Sequence, residues 1–235
     1  MSLLPKINQP IFEIEIPSTK KKVKVRPFLV KEEKLLLMGL EGGDSNSMAE
    51  ALKQIIQNCT LEKIDVDKLS SFDLEYFFLR LRAKSISETI ELIQPCSTST
   101  CNNTLSFTVD LNSINVQYNP KHSNKIELTE TVGIVMKYPT LSLIQSLSGA
   151  NDQESSYKLV YSCVDYIYDA DSVYQSEDTP KEELSEWIDN LDRSSFLKIR
   201  DFFETMPKIK HHVSLDCSKC NNKTEFDVEG LHNFF

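Results

Sequence analysis

The sequence predicts an α+β fold: an N-terminal β-hairpin, a helical core, and two strand–knuckle–strand units near the middle and the end. Three observations predict it. Residues 11–28 alternate apolar and polar side chains around a polar turn. Several segments then repeat apolar residues at helical spacing. Finally, one short pattern is written twice, as "CSTSTCNN" at 96–103 and "CSKCNN" at 217–222. At 235 residues the chain fits one α+β domain, 1–235. Within it, subregions 1–93 (hairpin plus helices) and 94–235 (the region held by the knuckles) are expected.

Apolar residues make up 40% of the chain, enough to bury a core without disulfides. The net charge of −9 opposes wholesale binding to nucleic acid or to an anionic membrane. No apolar run approaches the ~20 residues that cross a bilayer. The opening "MSLLPKINQP" lacks the apolar core of a signal peptide. An intracellular protein is therefore expected, in which thiols stay reduced and paired cysteines hold metal more often than they form disulfides. The glycine-rich nucleotide loops and the G-x-S-x-G elbow are absent.

In chain order, "IFEIEI" and "VKVRPF" are strands joined by the turn "PSTKKK". Lys20, Lys21, Lys22, Lys24 and Arg26 make this hairpin locally basic, which reads as a solvated face that discourages edge pairing. The sharper alternative is a docking surface for an acidic partner. "VKEEKLLLMGLEG" is a helix stopping at Gly42-Gly43, and "SMAEALKQIIQNC" is a second helix with Cys59 on its core face. "LSSFDLEYFFLRLRAKS" is the strongest helix, with Ser71 as its expected cap. Apolar side chains surround it, so it is expected to be buried on more than one side, in its own domain or in a partner.

"ISETIELI" leads into the first cysteine pair and "TLSFTVDL" leads out. "KIELTETVGIVMKYP" reads as two strands, "TLSLIQSL" as a short helix ending at Gly149, and "ESSYKLVYSCVDYIYD" as one helix with Cys163 in the core. Residues 169–192 are acidic but lack the D-x-D-x-D-G loop of an EF-hand, so a solvated face is the better reading. "TPKEELSEWIDNL" is a helix with Thr179 as cap, and "RSSFLKIRDFFETM" is another, starting near Ser194 or Ser195. "KIKHHVSLD" enters the second pair and "KTEFDVEGL" leaves it.

Each cysteine pair is thus strand, Cys, short turn, Cys-Asn-Asn, then a strand with Phe-x-Val: Phe107 and Val109 match Phe226 and Val228. A Cys-x₂₋₄-Cys turn offers two thiolates to one ion, and zinc takes four ligands tetrahedrally. Two such turns brought together give a structural Cys₄ zinc site of Cys96, Cys101, Cys217 and Cys220. The turn needs a left-handed residue near its second cysteine, which Asn102 and Asn221 can supply. Alternatives are two plain β-turns with incidental cysteines, or a disulfide within each pair. His211 and His212 are adjacent on a strand, face opposite ways, and are left out of the site. One shared ion would close the segment between the knuckles into a loop of more than a hundred residues, whose order would depend on the metal. No nucleophile, paired carboxylates or H-E-x-x-H points to catalysis, and His122, His211, His212 and His232 are scattered.

Three blocks, "IPSTKKKVKVRPFLVKEEKLLLMG", "FDLEYFFLRLRAKSISETIEL" and "FLKIRDFFETMPKI", occur in this order. Together they make the chain similar to the T4-like bacteriophage baseplate hub family, which includes a small hub subunit and a hub assembly catalyst. The likeness runs from about residue 14 to the C-terminal knuckle. It implies a structural or assembly role in a contractile tail, acting through other hub or tail proteins, first in the host cytoplasm and then in the virion baseplate. It carries no catalytic residues, no nucleic-acid partner and no membrane. The surfaces expected to bind partners are the "EYFFLRLRAKS" helix and the basic hairpin. The alternative reading is a zinc-ribbon nucleic-acid-binding module, which needs a basic, aromatic face that this acidic chain does not advertise.

Overall fold

A computed structural model describes residues 7–42, 45–147 and 152–230. They divide into two compact units, Met1–Gln117 with Lys208–Phe235, and Tyr118–Pro207. The division therefore falls at 117/118 and 207/208, and not near residue 93. Both units mix helices with small antiparallel sheets, an α+β architecture.

The first unit opens with the expected hairpin, β1 (Phe12–Glu15) paired with β2 (Lys22–Val25). Ile14, Val23 and Val25 face inward, while Glu13 lies opposite Lys24 and Glu15 opposite Lys22. The hairpin's basic character is thus offset across the strands. Arg26 leaves that face altogether, making a buried ion pair with Glu32, 3.0 Å between Nη2 and Oε1. Helix α1 (Val30–Glu41) packs on α2 (Ser45–Cys59). A Cβ at Gly39 would stand 2.9 Å from the Cβ of Ala51, so this position needs glycine for the close approach. Gly43 of the expected stop lies outside the described residues.

After a short 3₁₀ turn (Val66–Lys68) comes α3 (Ser71–Ser85). Its cap is Ser70, one residue before the expected Ser71; the Ser70 hydroxyl accepts from the Asp73 amide, and Asp73 in turn accepts from the Ser18 amide. Phe72, Leu74, Phe77, Phe78, Leu79 and Leu81 are all buried. The helix touches β1, α2 and β10 (Lys208–Asp216), so its apolar circumference is consumed within its own unit. Only Lys84 on it is exposed, which removes α3 as a partner surface. Arg80 ties down the distant loop at 111–115 by donating to the carbonyls of Leu111 and Ile114.

Glu75 lies in this buried helix, and burial drives its carboxyl up to about 7 from an ordinary 4.5. An acid with a raised folded pKa holds its proton more tightly when folded. Its contribution is therefore intact below the ordinary value and is lost as pH rises through about 7. Glu75→Gln should leave stability nearly unchanged below about pH 4 and raise it at pH 8, on the order of 2 kcal/mol after allowance for partial exposure. Urea midpoints at the two pH values measure this; equal midpoints for the variant and the parent at pH 8 contradict it.

The second unit contains one antiparallel sheet in the order β6 (Lys125–Glu127), β7 (Gly133–Met136), β8 (Val164–Tyr168), β9 (Val173–Gln175). Helices α4 (Leu141–Leu147) and α5 (Asp152–Ser162) lie between β7 and β8 in sequence, and α6 (Lys181–Asp189) and α7 (Arg193–Thr205) follow β9. Gly149, the expected end of α4, lies outside the described residues. The single helix expected over 154–169 is instead α5 followed directly by β8. Val164, Tyr166, Ile167 and Tyr168 form a β-branched and aromatic run, and pairing with β7 on one side and β9 on the other outweighs helical spacing. Caps also shift. Pro180, without a side-chain bond, precedes α6 in place of Thr179, whose hydroxyl donates to the Gln175 carbonyl. Asp192 caps α7 by accepting from the Ser194 and Ser195 amides. The unit has its own core of Ile134, Met136, Cys163, Val164, Ile188, Ile199 and Phe202.

Candidate metal centre

Two hairpins of the first unit carry the four cysteines. In one, β3 (Thr89–Pro95) pairs with β4 (Thr104–Asp110). In the other, β10 pairs with β11 (Lys223–Glu229), and β5 (Val116–Gln117) extends that sheet. The equivalence read from the sequence holds residue by residue. Each entering strand stops one residue before the first cysteine, and each leaving strand begins three after the second. The Cys96 amide donates to the Asn103 carbonyl at 2.9 Å and the Cys217 amide to the Asn222 carbonyl at 3.0 Å. The repeated aromatic residues meet, with Phe107 edge-on to Phe226 at 5.5 Å between centroids. Val109 and Val228 are both buried.

The turns themselves differ. Asn221 is left-handed at φ 58, as its position after the second cysteine requires. Asn102 is not left-handed: the longer first turn closes with the Cys101 amide donating to the Thr98 carbonyl. Two extra residues remove the need for the tight reversal, so the expectation for Asn102 fails while that for Asn221 stands.

Cys96, Cys101, Cys217 and Cys220 converge, with all four sulfurs within 4.8 Å of one another. Cys96 and Cys220 are 3.7 Å apart, and Cys101 and Cys217 are 3.9 Å apart. A tetrahedron with metal–sulfur bonds of about 2.3 Å has sulfur–sulfur edges of about 3.8 Å. The donor set can therefore hold a metal ion with little rearrangement. Cys217 is 1% exposed and Cys96 9%. His211 and His212 take no part; His212 pairs with Asp227 at 2.9 Å.

Donors in the turns prepare the sulfurs for negative charge. The Cys220 amide, the Asn103 side chain and the Lys219 amide draw the Cys217 thiol down to about 6. Hydrogen bonding by the Thr98 amide, against some burial, lowers Cys96 as well. At Cys101 the Asn103 amide acts the same way, but burial and the three neighbouring thiols outweigh it and push the thiol up to about 11. Four thiols this close cannot all ionise unless a cation shares their charge. Asn103, Thr98 and Thr224, all within this network, were not foreseen as site residues, although the doubled Cys-Asn-Asn carried the signal for Asn103.

Comparison with known proteins bears on the whole chain. No curated protein and no solved structure matches it. A family model described as "T4 bacteriophage base plate protein" matches residues 9–235. That span takes in the hairpin, all the described helices and both knuckles. The chain belongs to the T4 bacteriophage base plate protein family.

Proposed function

We propose that this protein is a structural or assembly subunit of the central hub of a contractile-tail baseplate, and that it works by binding other hub or tail proteins. Cys96, Cys101, Cys217 and Cys220 hold one structural zinc ion. The observation that carries the reading is a family match over nearly the whole chain, which supports a structural role in the baseplate. The hub itself rests on the three sequence blocks at residues 16–39, 72–92 and 196–209. A closed set of four thiolates leaves no open coordination position, so the metal would brace the fold and activate no water.

With α3 buried, the partner surface is assigned to α1, where Val30, Leu37, Met38 and Leu40 remain exposed. Among the described residues no helix is long and apolar enough to cross a membrane. The protein is made in the host cytoplasm and is carried into the tail baseplate. The zinc-ribbon nucleic-acid reading is weaker. Lys210 of the second hairpin is paired with Asp227 at 2.6 Å and Glu229 at 3.2 Å, and Lys223 with Glu225 at 2.6 Å, so these cations are not free for phosphate.

Co-expression with the other baseplate proteins of the same phage, followed by affinity capture, tests the role. The parent should capture hub or tail-tube-initiation proteins, and Leu37→Asp with Met38→Asp should lose them while keeping its circular dichroism. Failure of the parent to join any baseplate assembly, or turnover of a substrate abolished by a single polar substitution, overturns it. Elemental analysis of protein purified without added metal should give about one zinc per chain, and Cys217→Ser should lower it; an unchanged content removes the assignment.

A further inference from the structure

The repeat contains a second asparagine that the left-handed turn does not explain. Asn103 and Asn222 occupy the same place in the two copies, two residues after the second cysteine. Their backbones do the same thing, receiving the amide of the first cysteine of their own knuckle. Their side chains do something else: both cross into the opposite knuckle. Asn103 Nδ2 donates to Cys217 Sγ at 3.4 Å. Asn222 Nδ2 donates to Thr98 Oγ1 at 2.9 Å, and that oxygen lies 3.7 Å from Cys220 Sγ. A further crossing, Ser97 Oγ to Thr224 Oγ1 at 3.1 Å, joins the first turn to the start of β11 beside Cys96.

Resting on the metal reading above, we infer that Asn103 and Asn222 are positioning residues of the metal centre. They form a reciprocal clamp that holds each pair of thiolates in register with the other. Two separate turns have no covalent reason to place four sulfurs on one tetrahedron. An amide reaching from one knuckle to a sulfur of the other fixes that relation before metal arrives. It also supplies an N–H donor to a thiolate, which spreads the charge of a four-sulfur site. Asn103 acts on a sulfur directly and Asn222 through Thr98, so Asn103 contributes more. The chemistry demands an amide: leucine fills the space without donating, and aspartate keeps the shape but sets a carboxylate against the thiolate of Cys217.

The test uses the full chain with Asn103→Leu, Asn103→Asp and Asn222→Leu. Zinc retention is read by competition with a chromophoric chelator, and the site is also loaded with cobalt(II) for its thiolate-to-metal charge-transfer band. The expected order of zinc affinity is parent, then Asn222→Leu, then Asn103→Leu, then Asn103→Asp. The Asn103 variants should lose on the order of 10–100-fold and shift the charge-transfer band. If aspartate matches the parent while leucine does not, the position is only packing and the clamp is wrong. If all variants bind with parental affinity and spectrum, the clamp is wrong while the metal centre stands. A parent that binds neither zinc nor cobalt overturns the metal reading and the clamp with it. Asn222→Leu, one contact removed from sulfur, keeps the comparison available should the Asn103 variants not fold.

Discussion

If the four cysteines hold one ion as proposed, removing it with a chelator, or replacing Cys217 with serine, is expected to raise amide exchange throughout both knuckle hairpins and β5 while the core of the second unit stays protected. Cys217 is the most buried of the four sulfurs, and serine there offers a poorer, unpaired ligand in a dry position. In small zinc domains metal binding supplies apparent free energies of about 10–16 kcal/mol, all of it folding energy. Here the paired strands and the Phe107–Phe226 contact retain part of the order. A loss of several kcal/mol remains, equivalent to roughly 10³-fold in protection of the hairpin amides.

The sequence alone points to a wider effect, since one shared ion closes a loop of more than a hundred residues between the knuckles. The structure narrows it. Residues 118–207 form a compact unit with its own core. The strands at the two ends of that insertion, β5 and β10, pair with each other, Gln117 opposite Lys208. The insertion's ends are thus held together by backbone as well as by sulfur, and Ile134, Val164 and Ile199 have packing of their own. Hydrogen exchange with and without a strong chelator decides the matter. Exchange rising at those three residues as fast as in the knuckles would mean that the second unit owes its order to the metal. No change at the knuckles would mean that the cysteines brace nothing.

The convergence of the knuckles was legible because the pattern is local: two cysteines at short spacing, a following strand, and a second copy of both. So were the hairpin at 11–28 and the burial of Phe77 and Phe78, which follow from alternation and from an apolar circumference. Strand β8 was not legible. Leu159, Cys163 and Ile167 keep a helical spacing, and only pairing with β7 and β9, from distant sequence, shows which period wins. Caps moved by one to three residues because Ser70 competes with Ser71, and Asp192 with Ser194, and the better-placed oxygen is decided by the entering chain. The cross-knuckle contact of Asn103 was not legible either, since no one-dimensional pattern says which sulfur an amide will reach. The two-unit division escaped for a similar reason: β5, which closes the bracket around residues 118–207 by pairing with β10, is only two residues long and pairs only once folded.

Glu32→Ala is expected to be the most damaging substitution outside the cysteines, costing about 3–5 kcal/mol. Glu32 is completely buried. Its carboxylate accepts from Arg26 Nη2 at 3.0 Å, from Arg26 Nη1 at 3.2 Å, and from the Leu29 amide at the start of α1 at 2.9 Å. Arg26 also donates to the carbonyls of Pro27 and Asn58, and its own amide donates to the carbonyl of Cys59. One ion pair therefore joins the end of β2, the start of α1 and the end of α2. Alanine leaves the half-buried guanidinium without its counter-charge, and that, more than the lost attraction, sets the cost. Glu32→Gln keeps the shape and one acceptor, and should cost about half as much. Arg26→Met with Glu32→Leu removes both charges and should cost less than either single truncation. Burial opposes the charged form of Glu32, but the bonds from Arg26 and Leu29 prevail and hold its carboxyl below the ordinary 4.5. The contribution is thus fully present above that value and is lost as pH falls through the lower folded one. Urea midpoints for the parent and Glu32→Gln should therefore stay apart at pH 7 and converge only as the pH falls well below 4.5. If the exposed Val30, Leu37 and Met38 of α1 are the partner surface proposed above, Glu32→Ala should also weaken capture of baseplate partners without touching that surface. A Glu32→Ala protein within about 1 kcal/mol of the parent at pH 7 would show that water or a shifted Arg26 replaces the pair, and that the hairpin is held to the helices by its apolar face alone.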